Sequence, residues 1–479
     1  MVDYHVDTVA YSLSSRMYGV CRCVQRQTEA LWHGKFYFPL LLVLTMFFIR
    51  TKAPLAGAVT LVVVAIWMLL CCSNILAAAA PLCMISVLST LCFRSMGVFA
   101  PCAALVVPVG MALMAHLRHW PLKFQFGRSA RGLVLVSIAT ILGGLGVMTA
   151  QETMQPMSLY YSLGLGVLLL VIYLMVRTEM AEGRGEDTVQ RLLEFCYTMG
   201  LCMALVVLWA YVESWEPGEL FGAVPNLKWR NFAATILVTT LPMPFLFSVK
   251  HKFHLLSVPA MAAALALTGS RTALLFGAVM LVLCTVYLCR WGVISKRFLI
   301  ALAALGLVAA VVFGPSVLSV ALGNRMKGDI LQHSNQSRMR FLARAVEDFL
   351  AHPLFGIGLG NTANGDIFTG VDGSMVFYHN MVAQVMGSMG IVGIVAYAVL
   401  IRDRIRLLLT ERSARVDAMA LMYLGMLLVS MTNPGEFCPF PNAILIAMLF
   451  AGVEQTVGDP VTSLEKLPQR RYRLGLSQH

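Results

Sequence analysis

His379 stands between Tyr378 and Asn380 and directly precedes a long apolar run. A free imidazole has a pKa of about 6.5, so at a membrane surface it is largely neutral and able to take a proton from an attacking hydroxyl. Asn380 is placed to orient it. The bland reading of the same pair is an interfacial polar group at a helix start. Arginines form the second set. Arg271 sits at the tip of LTGSRTALL, residues 267–275. With so little loop around it, the side chain must lie at or just beneath an interface, where an unpaired charge is costly. Binding a phosphate offsets that cost. Arg338, Arg340 and Arg344 belong to SRMRFLARAVEDFL, residues 337–350. Arg340 and Arg344 are four apart and share a helical face, with Arg338 toward one side. Glu347 and Asp348 are placed to neutralise them in ordinary helical pairs, so a solvated amphipathic helix is the alternative. In PNLKWRNFAA, residues 225–234, Lys228 and Arg230 beside Asn226 either meet an anionic head group or anchor an interface together with Trp229.

The elements that must position these residues follow from composition. The chain has 58% hydrophobic and 13% charged residues and a mean hydropathy of +0.76, which excludes a soluble globular domain. The fold class expected is an all-α polytopic membrane protein. A span takes roughly 20 apolar residues. Candidates fall at 36–49, 53–72, 74–93, 97–115, 132–150, 158–176, 195–212, 231–249, 253–268, 272–289, 298–316, 378–401, 418–432 and 441–453, about 14 helices with 12–14 as the range. Residues 1–35 read as a cytoplasmic lead-in without a cleavable signal pattern. Residues 36–316 hold spans 1–11, 317–377 form one long outer loop with a short amphipathic helix, 378–454 hold the last three spans, and 455–479 form a basic cytoplasmic tail.

With both termini inside, 25 of the 36 Lys and Arg fall on the cytoplasmic side, as the positive-inside rule requires. The net charge of +12 is thereby a topology signal with contact to anionic membrane lipids, and nucleic acid is not an expected partner. The cysteines lie mainly inside spans, where they act as small hydrophobes. Cys21 and Cys23 lack the second pair that a zinc site needs. The glycines of HPLFGIGLGN follow a helix and not a strand, so they read as a tight turn and not as a nucleotide loop. No candidate span has Asp or Glu in its interior, and basic residues sit at helix ends and in loops. This pattern speaks against an ion-coupled transporter and places the polar site on the outer face.

The four outer motifs, taken in order, resemble the O-antigen ligase and O-antigen polymerase family of bacterial membrane glycosyltransferases. In that family a PN-containing loop, a TGSR turn, a long outer loop with an Arg-bearing helix and an HPL-G-G-G run, and a final HN before a helix recur. The resemblance covers about 221–400. It implies transfer of a glycan from undecaprenyl diphosphate, in the bacterial inner membrane, to a hydroxyl of a growing glycan, a lipid A core or another acceptor. It also implies that Arg271 grips the diphosphate with help from the outer-helix arginines, and that His379 is the base. The family pattern has an arginine shortly before PN, where this chain carries Glu219; Lys228 or Arg230 then supplies the missing charge. No paired carboxylates of a metal-binding type occur in the outer loops, so no metal and no cofactor are expected. A glycosyl diphosphate needs mainly its developing charge stabilised, a task suited to guanidinium groups. The alternative function is a flippase for the same lipid-linked glycans.

Overall fold

The computed structural model describes residues 22–90, 101–149, 161–181, 185–215, 227, 230–298, 300–301, 304, 308, 311–312, 328–359, 378–433, 435–437 and 440–458. It forms two compact units, divided between Leu122 and Lys123. In the first unit, α1 (Arg22–His33) and α2 (Tyr37–Arg50) are bent 87° from one another. They precede α3 (Pro54–Cys71), α4 (Leu76–Ser89) and α5 (Val106–His119). Pro54 opens α3 at a position where its missing N–H costs nothing. Trp32, Tyr37, Leu61, Ala65 and Met84 are buried in this unit, and the Tyr37 hydroxyl donates to the Ala77 carbonyl.

The second unit contains α6 (Arg128–Thr149), a π-helical turn at Gly164–Leu168, α7 (Leu169–Ala181), α8 (Gly185–Ser214), α9 (Arg230–Thr240), α10 (Pro242–Ser248), α11 (Ser257–Leu267), α12 (Arg271–Arg290), α13 (Gly328–Ala351), α14 (Met381–Thr410), α15 (Ala414–Ser430) and α16 (Phe440–Thr456). Helix α14 packs along α6, and α16 lies against α7 and α8. Helix α9 is wedged among α8, α12 and α15, which explains why every residue from Phe232 to Thr240 is buried.

The all-helical class holds for the described residues. Every expected span except 298–316, most of which lies outside the described residues, falls on a helix. Six helices are long and apolar enough to cross a membrane, or up to seven if the bent pair α1–α2 is one span. The other apolar elements depart from the expected spans in both directions: α4 is shorter than 74–93, whereas α15 and α16 run longer than 418–432 and 441–453. Helix α4 has 14 residues, and α15 and α16 have 17 each. Of the segment 317–377, expected as a long outer loop, residues 328–359 are described; there the helix expected at 337–350 extends over 24 residues as α13. The lead-in up to Cys21, the end of the expected span at 313–316, the expected loop residues 317–327 and 360–377, and the tail from Asp459 lie outside the described residues.

Two expectations are corrected. Residues 402–410, read as cytoplasmic loop, continue α14, and Arg404 within them is buried. Its Nη1 pairs with Glu436 Oε1 at 2.6 Å, although Glu436 belongs to a segment read as outer loop. Its guanidinium carbon also lies 4.8 Å from the Phe450 ring centroid. Likewise Arg177 and Glu454 are buried and paired at 3.1 Å, with the Glu454 carboxylate also accepting from the Tyr173 hydroxyl and the Ser129 N–H. Basic residues are therefore not confined to helix ends and loops. Each buried cation has found a carboxylate, because an unpaired charge in that setting costs several kcal/mol.

Candidate active site

The site is built where α9, α12 and α14 begin. Helix α11 ends at Thr268, and Gly269 takes φ +62°, the left-handed conformation that ends helices and suits glycine. Ser270 then starts α12, its N–H donating to Thr268 Oγ1 at 3.2 Å. Arg271 is thereby the first residue of α12. The Ser270 hydroxyl bonds Asn231 Oδ1 at 3.2 Å, which ties this corner to the start of α9. There Arg230 Nε donates to the Leu227 carbonyl at 3.4 Å.

The third start belongs to α14. Asn380 caps it, with Oδ1 accepting from the N–H groups of Val382 and Ala383 at 2.8 and 3.1 Å. The Asn380 amide nitrogen donates to the Met431 carbonyl at 2.9 Å. His379, just outside the helix, has φ +53°. Non-glycine residues rarely take that conformation, which costs about 1–3 kcal/mol and persists only where the surroundings impose it. The imidazole lies against Phe341 of α13, ring centroids 5.2 Å apart. Its Nδ1 is buried with no hydrogen-bond partner among the described residues.

Helix α13 supplies the charge. Phe341, Ala345 and Asp348 form its buried face, and Arg338 is partly buried one turn before Phe341. Burial pushes the Arg338 guanidinium below its ordinary value, and the charge of Arg271 pushes it further the same way. Arg338 remains a cation, since guanidinium does not deprotonate in proteins. Burial, and after it the Arg338 charge, hold His379 down to about 4. The imidazole is neutral at physiological pH. Arg271, Arg338 and His379 are thus coupled electrostatically in series, and Arg271 and His379 each stand at the start of a helix, the end that carries a partial positive charge. Such a corner is chemically suited to an anion with a base next to it.

The other arginines of α13 are disposed differently. Arg340 is exposed. Arg344 turns to the carboxylates that follow it, with Asp348 Oδ1 at 3.1 Å and Glu347 Oε2 at 3.9 Å. Of the arginines of α13, it is Arg338, not the face shared by Arg340 and Arg344, whose charge acts on the histidine. Lys228, Asn226 and Glu219 lie outside the described residues.

The turn after α13 locks this helix to α14. Gly390 breaks α14 with φ +60° and ψ −153°. The groups freed by the break are paired with residues 353–358: Ile391 and Val392 N–H donate to the Pro353 and Leu354 carbonyls at 2.8 and 3.2 Å, and the Ile357 and Gly358 N–H groups donate to the Gly387 and Ser388 carbonyls at 3.0 Å each. Gly356, at φ +68°, leaves no room for a side chain; a Cβ there would lie 2.4 Å from the Ser388 carbonyl carbon. The glycine run is a docking turn.

Residues 256–398 match the family model described as O-antigen ligase. The family resemblance is borne out over this segment. The O-antigen ligase match takes in Arg271, all three arginines of α13, His379 and Asn380, a little under a third of the chain. It supports a membrane glycosyltransferase-like function in polysaccharide assembly. No curated protein matches the chain. Sequence reasoning missed Phe341, which looked like one more apolar position of an amphipathic helix. It also treated Asp348 only as a helical partner for arginine, when its spacing of seven from Phe341 placed it on the same face.

Proposed function

We propose that the protein moves a glycan from undecaprenyl diphosphate to an acceptor hydroxyl at the outer face of the cytoplasmic membrane, as a ligase or polymerase of a surface polysaccharide. The observation that supports this most directly is a neutral histidine held in a strained corner beside Arg338, whose charge is coupled to that of Arg271. The acceptor oxygen attacks the anomeric carbon, and the bond from that carbon to the diphosphate breaks. The electron pair leaves on the diphosphate oxygen, and the acceptor proton passes to His379. Arg271 and Arg338 stabilise the departing charge through paired N–H bonds, a task that other transferases give to a divalent cation. By the family resemblance, Arg230 and Lys228 add positive charge for the carrier, Arg340 and Arg344 assist, and Asn380 and Asn226 are supporting residues. Attack opposite the leaving group inverts the anomeric configuration.

The test is transfer in proteoliposomes that hold an undecaprenyl-diphosphate oligosaccharide and candidate acceptors. Wild type should form product in excess EDTA, and His379→Ala should form none. Arg271→Ala should lose about 100- to 1,000-fold, the usual consequence of removing one charge-stabilising donor, and Arg271→Lys should stay poor because an ammonium lacks the planar fork. One added unit marks a ligase and a ladder marks a polymerase. Carrier moved across the bilayer with no new glycosidic bond would replace this reading by the flippase.

A further inference from the structure

Asp348 is a carboxylate set in the otherwise apolar buried face of α13, four residues after the Arg344 that it pairs with and seven after Phe341. Apolar side chains fill Phe341 and Ala345 on that face. A buried charge at the third position contributes less to stability than another apolar residue would, because its desolvation offsets most of its attraction. Its contacts show what it holds. Oδ1 accepts from Arg344 Nε at 3.1 Å, and Oδ2 accepts from the Tyr378 hydroxyl.

Tyr378 immediately precedes His379 and is 4% exposed. A Cβ on Gly387 would lie 2.9 Å from its ring, so the ring is seated in the space that glycine leaves. Its backbone N–H donates to Gln384 Oε1 at 3.2 Å, and Gln384 in turn donates to Ser388 Oγ at 2.8 Å. On the other side of His379, Asn380 is fixed by the helix cap and by the Met431 carbonyl. The histidine is the single residue between two anchored neighbours, and it takes a left-handed φ of +53°.

We propose that Asp348 is a positioning residue for His379: through the Tyr378 hydroxyl it ties α13 to the strained corner, and so sets the imidazole against Phe341 and beside Arg338. Asp348 touches no reacting atom. Arg344 belongs to this device, since its guanidinium holds the carboxylate in place, and Arg338 is left as the arginine of α13 that acts on the histidine. The proposal rests on the reading of His379 as the base.

The experiment uses the full-length protein with Tyr378→Phe, Asp348→Asn and the double variant. In the proteoliposome assay, kcat per folded molecule should fall about 10- to 100-fold, the scale of a small misplacement of a catalytic group, while KM for the lipid-linked donor changes less than twofold. The double variant should be no worse than the poorer single one. A parallel arm needs no turnover: carbethoxylation of His379 by diethyl pyrocarbonate, followed by peptide mass spectrometry, should be several-fold faster in each variant. Lower yield of folded protein with kcat and His379 reactivity unchanged would show a structural residue only and overturn the proposal. Should Asp348→Asn fail to fold, Tyr378→Phe carries the test, since it removes one hydroxyl and keeps the ring. If wild type makes no product while His379 reactivity still rises in the variants, the transferase reading has failed and the positioning stands.

Discussion

His379 owes its charge state to its surroundings more than to its residue type. Between about 4 in the folded protein and the ordinary value of about 6.5 in the unfolded chain, the unfolded state binds the extra proton. This histidine's contribution to stability is therefore complete above that window and is lost as pH falls through it. Activity has the same sign, because the base must be neutral. The acid limb of kcat/KM, which reports the free enzyme, should lie near pH 4, leaving kcat/KM flat from pH 8 to about pH 5. Bound diphosphate neutralises Arg338 and Arg271, so the limb of kcat should lie at higher pH than that of kcat/KM. Initial rates at low and saturating donor measure both. A kcat/KM limb near 6.5 would mean an ordinary, solvated imidazole. That a histidine at a helix start is a candidate base was legible in the sequence; its left-handed backbone and its buried Nδ1 were not, because both follow from contacts with α13, some forty residues earlier.

Among the elements, the helix α14 shows what a hydropathy plot conceals. An apolar run reads as one continuous span, yet Gly390 interrupts this one and hands its backbone groups to the turn at 353–358. The signal was present as glycines in both partners, but glycine is common in membrane helices, and nothing local says which one is at a break. Gly390→Ala places a Cβ 2.5 Å from the Pro353 carbonyl oxygen in a left-handed conformation. The variant should lose about 1–3 kcal/mol and uncouple α13 from α14, seen as a lower melting temperature in detergent together with reduced transfer. Gly110→Ala is the control, since nothing lies within 4 Å of a Cβ there. Equal melting of the two variants would remove the docking role assigned to this break.

Across the molecule, the buried pair Arg404–Glu436 joins α14 to the turn between α15 and α16. The same turn supplies the Met431 carbonyl that receives Asn380. Removing one partner strands the other charge, so Arg404→Met should cost about 3–5 kcal/mol, whereas Arg404→Met with Glu436→Leu should recover most of it. Thermal unfolding of the three proteins decides the matter. Additive losses in the double variant would mean that the pair does not act as a unit. Neither partner lies within the segment matched by the O-antigen ligase model, so this support comes from a part of the chain that the family match does not describe.

The sequence by itself determined the membrane class, the placement of nearly every helix and the family to which the segment 256–398 is similar. These rest on local quantities: apolar content over a window, a glycine after a helix, an arginine in a short turn, motifs in a given order. Tertiary structure alone decided that the starts of α9 and α12 are tied by Ser270 and Asn231, that Phe341 lies against the histidine while Arg344 serves Asp348, and that arginines read as loop residues are buried. The reason is one of range. Burial, charge pairing and backbone strain depend on partners far away along the chain, as Arg177 and Glu454 are, and a window of twenty residues holds no record of them.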